Sequence, residues 1–364
     1  MASFSKRGTT WQYRINHIVD GRRKQISKGG FKTKKECQVA ANEIENELSK
    51  GKRVIVREKS FAEYFNEWIE LYKSTRHIMT YERYKNSSHR VEEYFKDKPI
   101  QKINRGEYQR FLNEYGIGRA KQTVRKLHSH VRACVVDAVE EGYISIDFTR
   151  KIEFNATKET KRSEDKHLDY EESVKLYNYL LANLEGKTYL SIHLLLLALV
   201  SGMRFGELVG LTTDCFNFKN NEIKIYRSWD YKRGTGFAGL KNKQSERTIG
   251  IDPDVMNVFK KFLLQLPPNK YNTVFYQQNS VGTITNEGVT KLLKRILNSL
   301  EVKVITTHGL RHTHASVLLF KGSNVYSVSK RLGHENIQTT LNTYTHVLKE
   351  MEERDEKIAI SIYK

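Results

Sequence analysis

The chain has 364 residues, 38% of them hydrophobic and 11% aromatic, which suffices for two or three packed cores and excludes a disordered tail. Its 62 Lys and Arg against 42 Asp and Glu leave a formal charge of +20. Such an excess favours a polyanionic partner, because cations displace the counterions of a phosphate backbone, although a basic surface that binds nothing is the bland alternative.

Three separated cysteines, Cys37, Cys134 and Cys215, form no C-x-x-C pair, which argues against a disulfide scaffold and a cysteine zinc site and fits a reducing compartment. The opening "MASFSKRGTTWQYR" has no apolar stretch of the signal-peptide kind, and the longest apolar run, "HLLLLALV" at 193–200, is too short to span a bilayer. A soluble cytoplasmic protein with no membrane partner is expected.

The first 35 residues carry ten basic side chains against one acid, Asp20. "WQYRINHIVDGRRKQISKGG" alternates apolar and polar around Asp20-Gly21, which predicts a β-hairpin with Trp11, Tyr13 and Ile15 on one face. "TKKE" offers Thr33 as a helix N-cap and Glu36 as its capping-box partner, with Cys37, Ala40, Ala41, Ile44 and Leu48 following at helical spacing. A β-ribbon with a basic face can read DNA, and Arg14, Arg22, Arg23, Lys24 and Lys28 are its candidate contacts; a solvated basic face is the alternative.

Residues 51–59 read as a connection. Ser60 and Glu63 then open a helix with Phe61, Tyr64, Phe65, Trp68 and Leu71 on one side, and helical patterns run to about residue 147, broken near Pro99 and Gly116–Gly118. In "RAKQTVRKLHSHVRACVVDAVEEGYI", Val124, Leu127, Val131, Val135 and Val139 face inward. Lys121, Arg125, Lys126 and Arg132 lie on the other face, and charges of one sign favour phosphate over mere solvation.

Residues 151–167 are polar and aperiodic and read as a linker. Asp169 and Glu172 cap the next helix, and an apolar helix over 188–200 ends near Gly202. "NEIKIYRSWDYKRGTGFAGLKNKQSERTIGID" alternates like a short antiparallel sheet with a glycine-rich turn, and helices resume from Asp254, with a break at Pro267-Pro268, to the C-terminus. The fold class predicted is multidomain and mainly α with small antiparallel β-sheets (α+β).

Four short motifs carry chemistry. "HGLRHTHAS" (308–316) could place His308 and His312 at i, i+4 as metal ligands, but Gly309 stands where a metalloprotease helix needs its Glu, and Arg311 would repel a cation. As an anion site it fits better, since His308 and Arg311 at i, i+3 share a helix face and arginine presents a planar fork to phosphate. "SGMRFGELVGL" puts Arg204 just past an apolar helix beside Gly202 and Gly206, with pairing to Glu207 as the ordinary alternative. "LKNKQSERTIGI" puts Lys241 and Lys243 on one strand face, and "LGHENIQTTLNTYTHV" adds His334 and Tyr344. Alone, each motif is ambiguous.

In order, Arg204, Lys241, His308, Arg311, His334 and Tyr344 resemble the catalytic signature of the tyrosine recombinases, in particular the phage- and transposon-type integrases. The resemblance is close over 168 to about 350 and extends loosely to the whole layout. It implies an arm-type DNA-binding module (1–55), a helical core-binding domain (60–150), a linker (151–167), a catalytic domain (168–350) and a C-terminal tail (351–364). The implied activity is site-specific integration, with excision, through a 3′-phosphotyrosine intermediate that needs no cofactor, metal or ATP.

In that reading Tyr344 is the nucleophile, Arg204 and Arg311 stabilise phosphate charge, and Lys241 is the general acid, with Lys243, two residues on along the same strand face, as the alternative lysine. His308 assists proton transfer at the tyrosine and His334 hydrogen-bonds the phosphate. His312 and His314 receive no catalytic role and pack or touch DNA backbone. Implied partners are double-stranded attachment sites, a homotetramer on synapsed DNA, an excisionase and a host DNA-bending protein, in the nucleoid of a bacterium. A resolvase, a type IB topoisomerase relative and a non-catalytic DNA-binding regulator are the other readings. The basic N-terminal module counts against the first, and the complete residue set counts against the last.

Overall fold

A computed structural model describes residues 2–19, 22–49, 59–159, 164–187, 189–240, 242–277, 282–344 and 360. It divides into two units, Met1–Thr160 and Lys161–Lys364.

The alternation near the N-terminus produces a sheet. Strand β1 (Ser3–Arg7) pairs antiparallel with β2 (Thr10–Val19), and β2 with β3 (Arg22–Phe31). Tyr13, Ile15 and Ile26 are buried under helix α1 (Lys34–Ser49), whose Cys37 and Ala41 complete this small core. The capping box forms as expected: the Glu36 N–H donates to Thr33 Oγ1 at 3.2 Å, and the Thr33 N–H donates to the Glu36 carboxylate at 3.4 Å. Strand β1 was not anticipated, because "SFSKR" has a single large apolar residue and pairs only as an edge. Val19 pairs with Arg22; the Asp20-Gly21 turn lies outside the described residues.

Helices α2 (Phe61–Lys73), α3 (Ile78–Phe95), α4 (Arg105–Gly116) and α5 (Lys121–Glu140) share a second core. Ser60 caps α2, its Oγ accepting the Glu63 N–H at 3.1 Å. Phe61, Tyr64, Phe65 and Trp68 are buried, but Leu71 is 72% exposed and Ile69 takes a core place instead. By helical rotation Leu71 lies roughly a quarter-turn from the centre of the buried arc, in the last turn, where packing ends. Arg132 does not face solvent as a free cation: it pairs with Asp147 at 3.1 Å.

The stretch read as a linker splits in two. Ile152, Phe154 and Ala156 pack on the helical core, and Glu153 is held by Gln109, whose Nε2–H donates to Glu153 O at 2.9 Å while its Oε1 accepts the Glu153 N–H at 2.8 Å. Lys158 bridges to Ala120. Its apolar residues recur every second position, so a search for helical spacing passes over an extended strap.

In the second unit, Asp169 and Glu172 form the expected capping box at the start of α6 (Tyr170–Ala182). Helix α7 (Tyr189–Ser201) is buried on nearly every side, Leu194 to Leu197 being inaccessible, as its uniform hydrophobicity requires. The short α8 (Phe205–Val209) follows. Strands β4 (Phe216–Asn217) and β5 (Glu222–Ile225) lead to the hairpin of β6 (Ser228–Trp229) and β7 (Phe237–Ala238). Strand β8 (Arg247–Gly250) returns beside β5, with Ile223 opposite Ile249 and Ile225 opposite Arg247.

Helix α9 (Pro253–Gln265) ends just before the expected break at Pro267-Pro268, but a small hairpin of β9 (Tyr276–Gln277) and β10 (Gly282–Thr283) follows where the helical pattern is expected to resume. Helices α10 (Asn286–Ser299), α11 (Thr307–Phe320) and α12 (Val325–Leu332) follow, and residues 337–344 are again helical. Lys243 opens a 3-10 turn, Lys243–Ser245, so it does not continue a strand face. No helix among the described residues is long and apolar enough to cross a membrane.

Candidate active site

The site begins where α7 stops. Gly202 has φ +67°, and a Cβ there would lie 2.8 Å from the His314 ring and 2.9 Å from Leu332, so both its conformation and its neighbours require glycine. That tight exit leaves Arg204 at the N-cap of α8. Arg204 donates to the Glu207 carboxylate at 2.8 Å and to Gly333 O at 3.3 Å. Glu207 also holds Arg247 of β8, at 2.9 Å, and is only 3% exposed at its side chain. Burial alone would raise the Glu207 pKa, but Arg247 and Arg204 outweigh it and hold the carboxyl below its usual range.

Arg311, one turn into α11, is 3% exposed. One of its terminal nitrogens donates to Gly202 O at 2.8 Å and the other to Leu332 O at 2.7 Å. Among the described residues it has no carboxylate at ion-pair distance. Burial, with Arg204 adding to it, pulls its pKa down to about 9, still well above neutrality, so it remains a cation. Arg204 and Arg247 therefore share the one carboxylate of Glu207, and Arg311 adds a third guanidinium held only by main-chain carbonyls among the described residues. The surplus positive charge sits in a place built to accept an anion.

The histidines divide into two jobs. His314 donates from Nδ1 to Leu199 O at 3.0 Å, so its Nε2 is the acceptor for the Arg331 Nε–H at 2.9 Å. Burial, then Arg331, push its pKa down to about 3; it is a neutral strut between α7 and α12. His308, His312 and His334 lie around the arginines. Burial together with Arg311 and Arg204 depresses His308, and the same causes take His334 down to about 4. His334 follows Gly333, whose left-handed φ of +68° ends α12, and its Nδ1 shares a hydrogen bond with Thr340 Oγ1 at 2.7 Å.

Tyr344 is 1% exposed, packed with Ala315, Leu319, Val328 and Leu332. Its hydroxyl lies 2.9 Å from Nδ1 of His312. Burial raises its pKa above that of a free phenol, while Arg311 opposes the rise.

Of the six residues expected to form the centre, Arg204, His308, Arg311, His334 and Tyr344 come together, and Lys241 lies outside the described residues. Two participants went unassigned from the sequence. Arg247 was visible in "KNKQSERTIGI" without a role, and His312 was set aside as packing or DNA-backbone contact. The only available signal for Arg247 was a lone arginine at the inward end of a strand. Neither pairing is legible locally, since Arg247 meets Glu207 across 40 positions and His312 meets Tyr344 across 32.

Of the DNA-contact candidates, Arg14, Lys28, Lys121, Arg125 and Lys126 are exposed. Lys28 pairs with Tyr13 and Arg14 with Ser27, so they stand on opposite sides of the sheet and the expected single basic face is not formed by them. The side chains of Arg22, Arg23 and Lys24 lie outside the described set. No group of three His, Cys, Asp or Glu residues among the described residues could hold a metal ion.

Removing the shared carboxylate should unfold this centre first. Glu207→Gln leaves the buried Arg247 and the half-buried Arg204 without their counter-charge, and breaking a buried pair costs about 3–5 kcal/mol. Urea unfolding followed by circular dichroism should show a midpoint well below wild type; an unchanged midpoint would mean the carboxylate is not holding the two arginines.

Three sequence profiles match the chain: "Phage integrase family" over residues 166–351, "Arm DNA-binding domain" over 3–48, and "Phage integrase, N-terminal SAM-like domain" over 60–115. A "Tyrosine recombinase XerC-like" protein of Caldanaerobacter subterraneus subsp. tengcongensis is 27% identical over 347 residues, 87% of each chain. The "Integrase" of Staphylococcus phage L54a is 27% identical over 292 residues, 72% of this chain and 81% of its own. Among solved structures, the Tn1549 transposon integrase in complex with circular intermediate DNA matches with a TM-score of 0.65 at 18% identity, over 79% of this chain and 95% of that one. A lambda integrase dimer bound to a COC′ core site matches with a TM-score of 0.60 at 15% identity, over 93% of each. These two likenesses show a common fold.

Proposed function

The chain belongs to the phage integrase family of tyrosine recombinases, and on that premise we propose that it cuts and rejoins double-stranded DNA at the attachment sites of a mobile element, integrating and excising it. The observation that carries this reading is the surplus positive charge of Arg204, Arg247 and Arg311 over Glu207, with the Tyr344 hydroxyl packed beside the same helix.

In the proposed reaction the Tyr344 Oη attacks the scissile phosphorus, and the 5′-oxygen leaves. The resulting 3′-phosphotyrosyl bond conserves the phosphodiester energy, so the second strand's 5′-hydroxyl can reverse the step without ATP. Negative charge builds on the non-bridging oxygens, where Arg204 and Arg311 stabilise it, and His334 donates a further hydrogen bond. His308 assists at the tyrosine, and Lys241 protonates the departing 5′-oxygen.

The element order supports a division of labour: an arm-type reader at 1–55, a core-binding domain at 60–150 and a catalytic domain at 168–350. Arg14, Arg22, Arg23, Lys24 and Lys28 would serve the first, and Lys121, Arg125 and Lys126 the second. Synapsis by a homotetramer in the bacterial cytoplasm, on the nucleoid, with an excisionase and a host DNA-bending protein setting direction, completes the proposal.

The test is covalent capture. Incubated with a nicked duplex spanning the joined ends of the circularised element, in chelator and without ATP, the protein should form an adduct that survives denaturation. A duplex that is bound without any adduct would favour the regulator reading.

A further inference from the structure

Of the histidines around the arginines, only His312 is hydrogen-bonded to the hydroxyl that the proposed reaction must deprotonate. Its Nδ1 lies 2.9 Å from Tyr344 Oη, with ring centroids 5.8 Å apart. His308, the histidine of the H-x-x-R motif, instead meets the His312 ring edge-on at 4.9 Å. The two residues lie on successive turns of α11, so the His308 ring packs against His312 and limits its rotation.

We propose that His312 is the proton acceptor for Tyr344, with His308 behind it as a positioning residue. The inference rests on the recombinase reading above. In the cleavage step the Tyr344 O–H and P–O5′ bonds break and the Oη–P bond forms. The phenolic proton passes to Nδ1 of His312, and the 5′-oxygen takes its proton from the general acid on the far side. In the rejoining step the imidazolium returns that proton to the departing phenolate.

The surroundings suit this. The His312 ring faces His308 and Arg311 on its own helix, Lys166 and His167 from the stretch before α6, and Tyr344. Burial first, then the histidine, arginine and lysine neighbours, push its pKa down to about 4, so at neutral pH the ring is uncharged and has a nitrogen free to accept. A phosphate bound at the arginines adds negative charge beside the ring and raises its basicity as the phenol attacks. Tyr344, held protonated by burial, needs such an acceptor.

The same contact could instead restrain the tyrosine in a resting state, and the two roles have opposite signs. Single-turnover adduct formation should be measured on the nicked element-junction duplex with wild type, His312→Gln and His312→Asn, alongside gel-shift binding to the same duplex. Asparagine keeps a polar group near the Nδ1 position but cannot take a proton. Both variants should bind normally and cleave at least about 100-fold more slowly, as loss of a general base implies.

Replacing the scissile 5′-oxygen by sulfur, which leaves without protonation, should not restore either variant, because their defect lies at the other oxygen. Cleavage by His312→Gln at the wild-type rate overturns the proposal, and faster cleavage identifies the contact as a restraint. Full activity in His312→Asn overturns it too, since a hydrogen bond alone would then suffice. An adduct that forms equally in Tyr344→Phe would instead overturn the nucleophile assignment on which the inference rests.

Discussion

Tyr344→Phe is expected to bind element-end DNA as wild type does and to yield no covalent adduct. The substitution deletes one oxygen from a ring buried among Ala315, Leu319, Val328 and Leu332, so packing volume is conserved and the fold should hold. The lost oxygen makes one hydrogen bond, to His312, worth about 1 kcal/mol net. Its chemical cost is of a different order. With no nucleophile the covalent route closes, and removal of a catalytic nucleophile commonly costs about 10⁴-fold or more in rate. Gel shift and denaturing gels on the same duplex separate the two effects. Unimpaired adduct formation would remove Tyr344 from the mechanism.

Arg311→Lys should be almost as severe for a different reason. The guanidinium spans two main-chain carbonyls, those of Gly202 and Leu332, with separate nitrogens, and so ties the exit of α7 to the end of α12. Lysine keeps the charge but is a point donor and cannot hold both carbonyls while also facing a phosphate. One carbonyl left without a donor costs about 1–3 kcal/mol in stability. Loss of a planar donor to the transition state costs roughly 10²–10³-fold in cleavage. Thermal unfolding and single-turnover cleavage should both fall. A stable variant with wild-type cleavage would mean that Arg311 is only a cation in the neighbourhood.

How much of this was legible depends on distance along the chain. The capping pairs Thr33–Glu36 and Asp169–Glu172 are three residues apart and were read correctly, because the hydrogen bonds that make them are local. The all-buried α7 was equally plain from its run of leucines. The strap at 151–158 was missed because it is extended, and extended packing on a helical core has no period that a polar stretch displays. The β9–β10 hairpin, with two residues in each strand, is too short to impose alternation on its sequence.

The site divides in the same way. Arg204, His308, Arg311, His334 and Tyr344 are candidates because their spacing in the motifs resembles a family, and the structure places the five near one another. Arg247 and His312 were not given roles, because what matters about each is a partner 40 or 32 residues away. Their importance is a property of packing: β8 brings Arg247 to Glu207, and the helical turn at 337–344 lays Tyr344 against α11.

The central claim is that Tyr344 carries the DNA strand. The adduct formed on the nicked element-junction duplex, digested with nuclease and protease and examined by mass spectrometry, locates the linkage directly. A nucleotide joined through its 3′-phosphate to Tyr344 is the predicted result. A 5′-linkage, a phosphoserine, or attachment at another tyrosine would contradict the account.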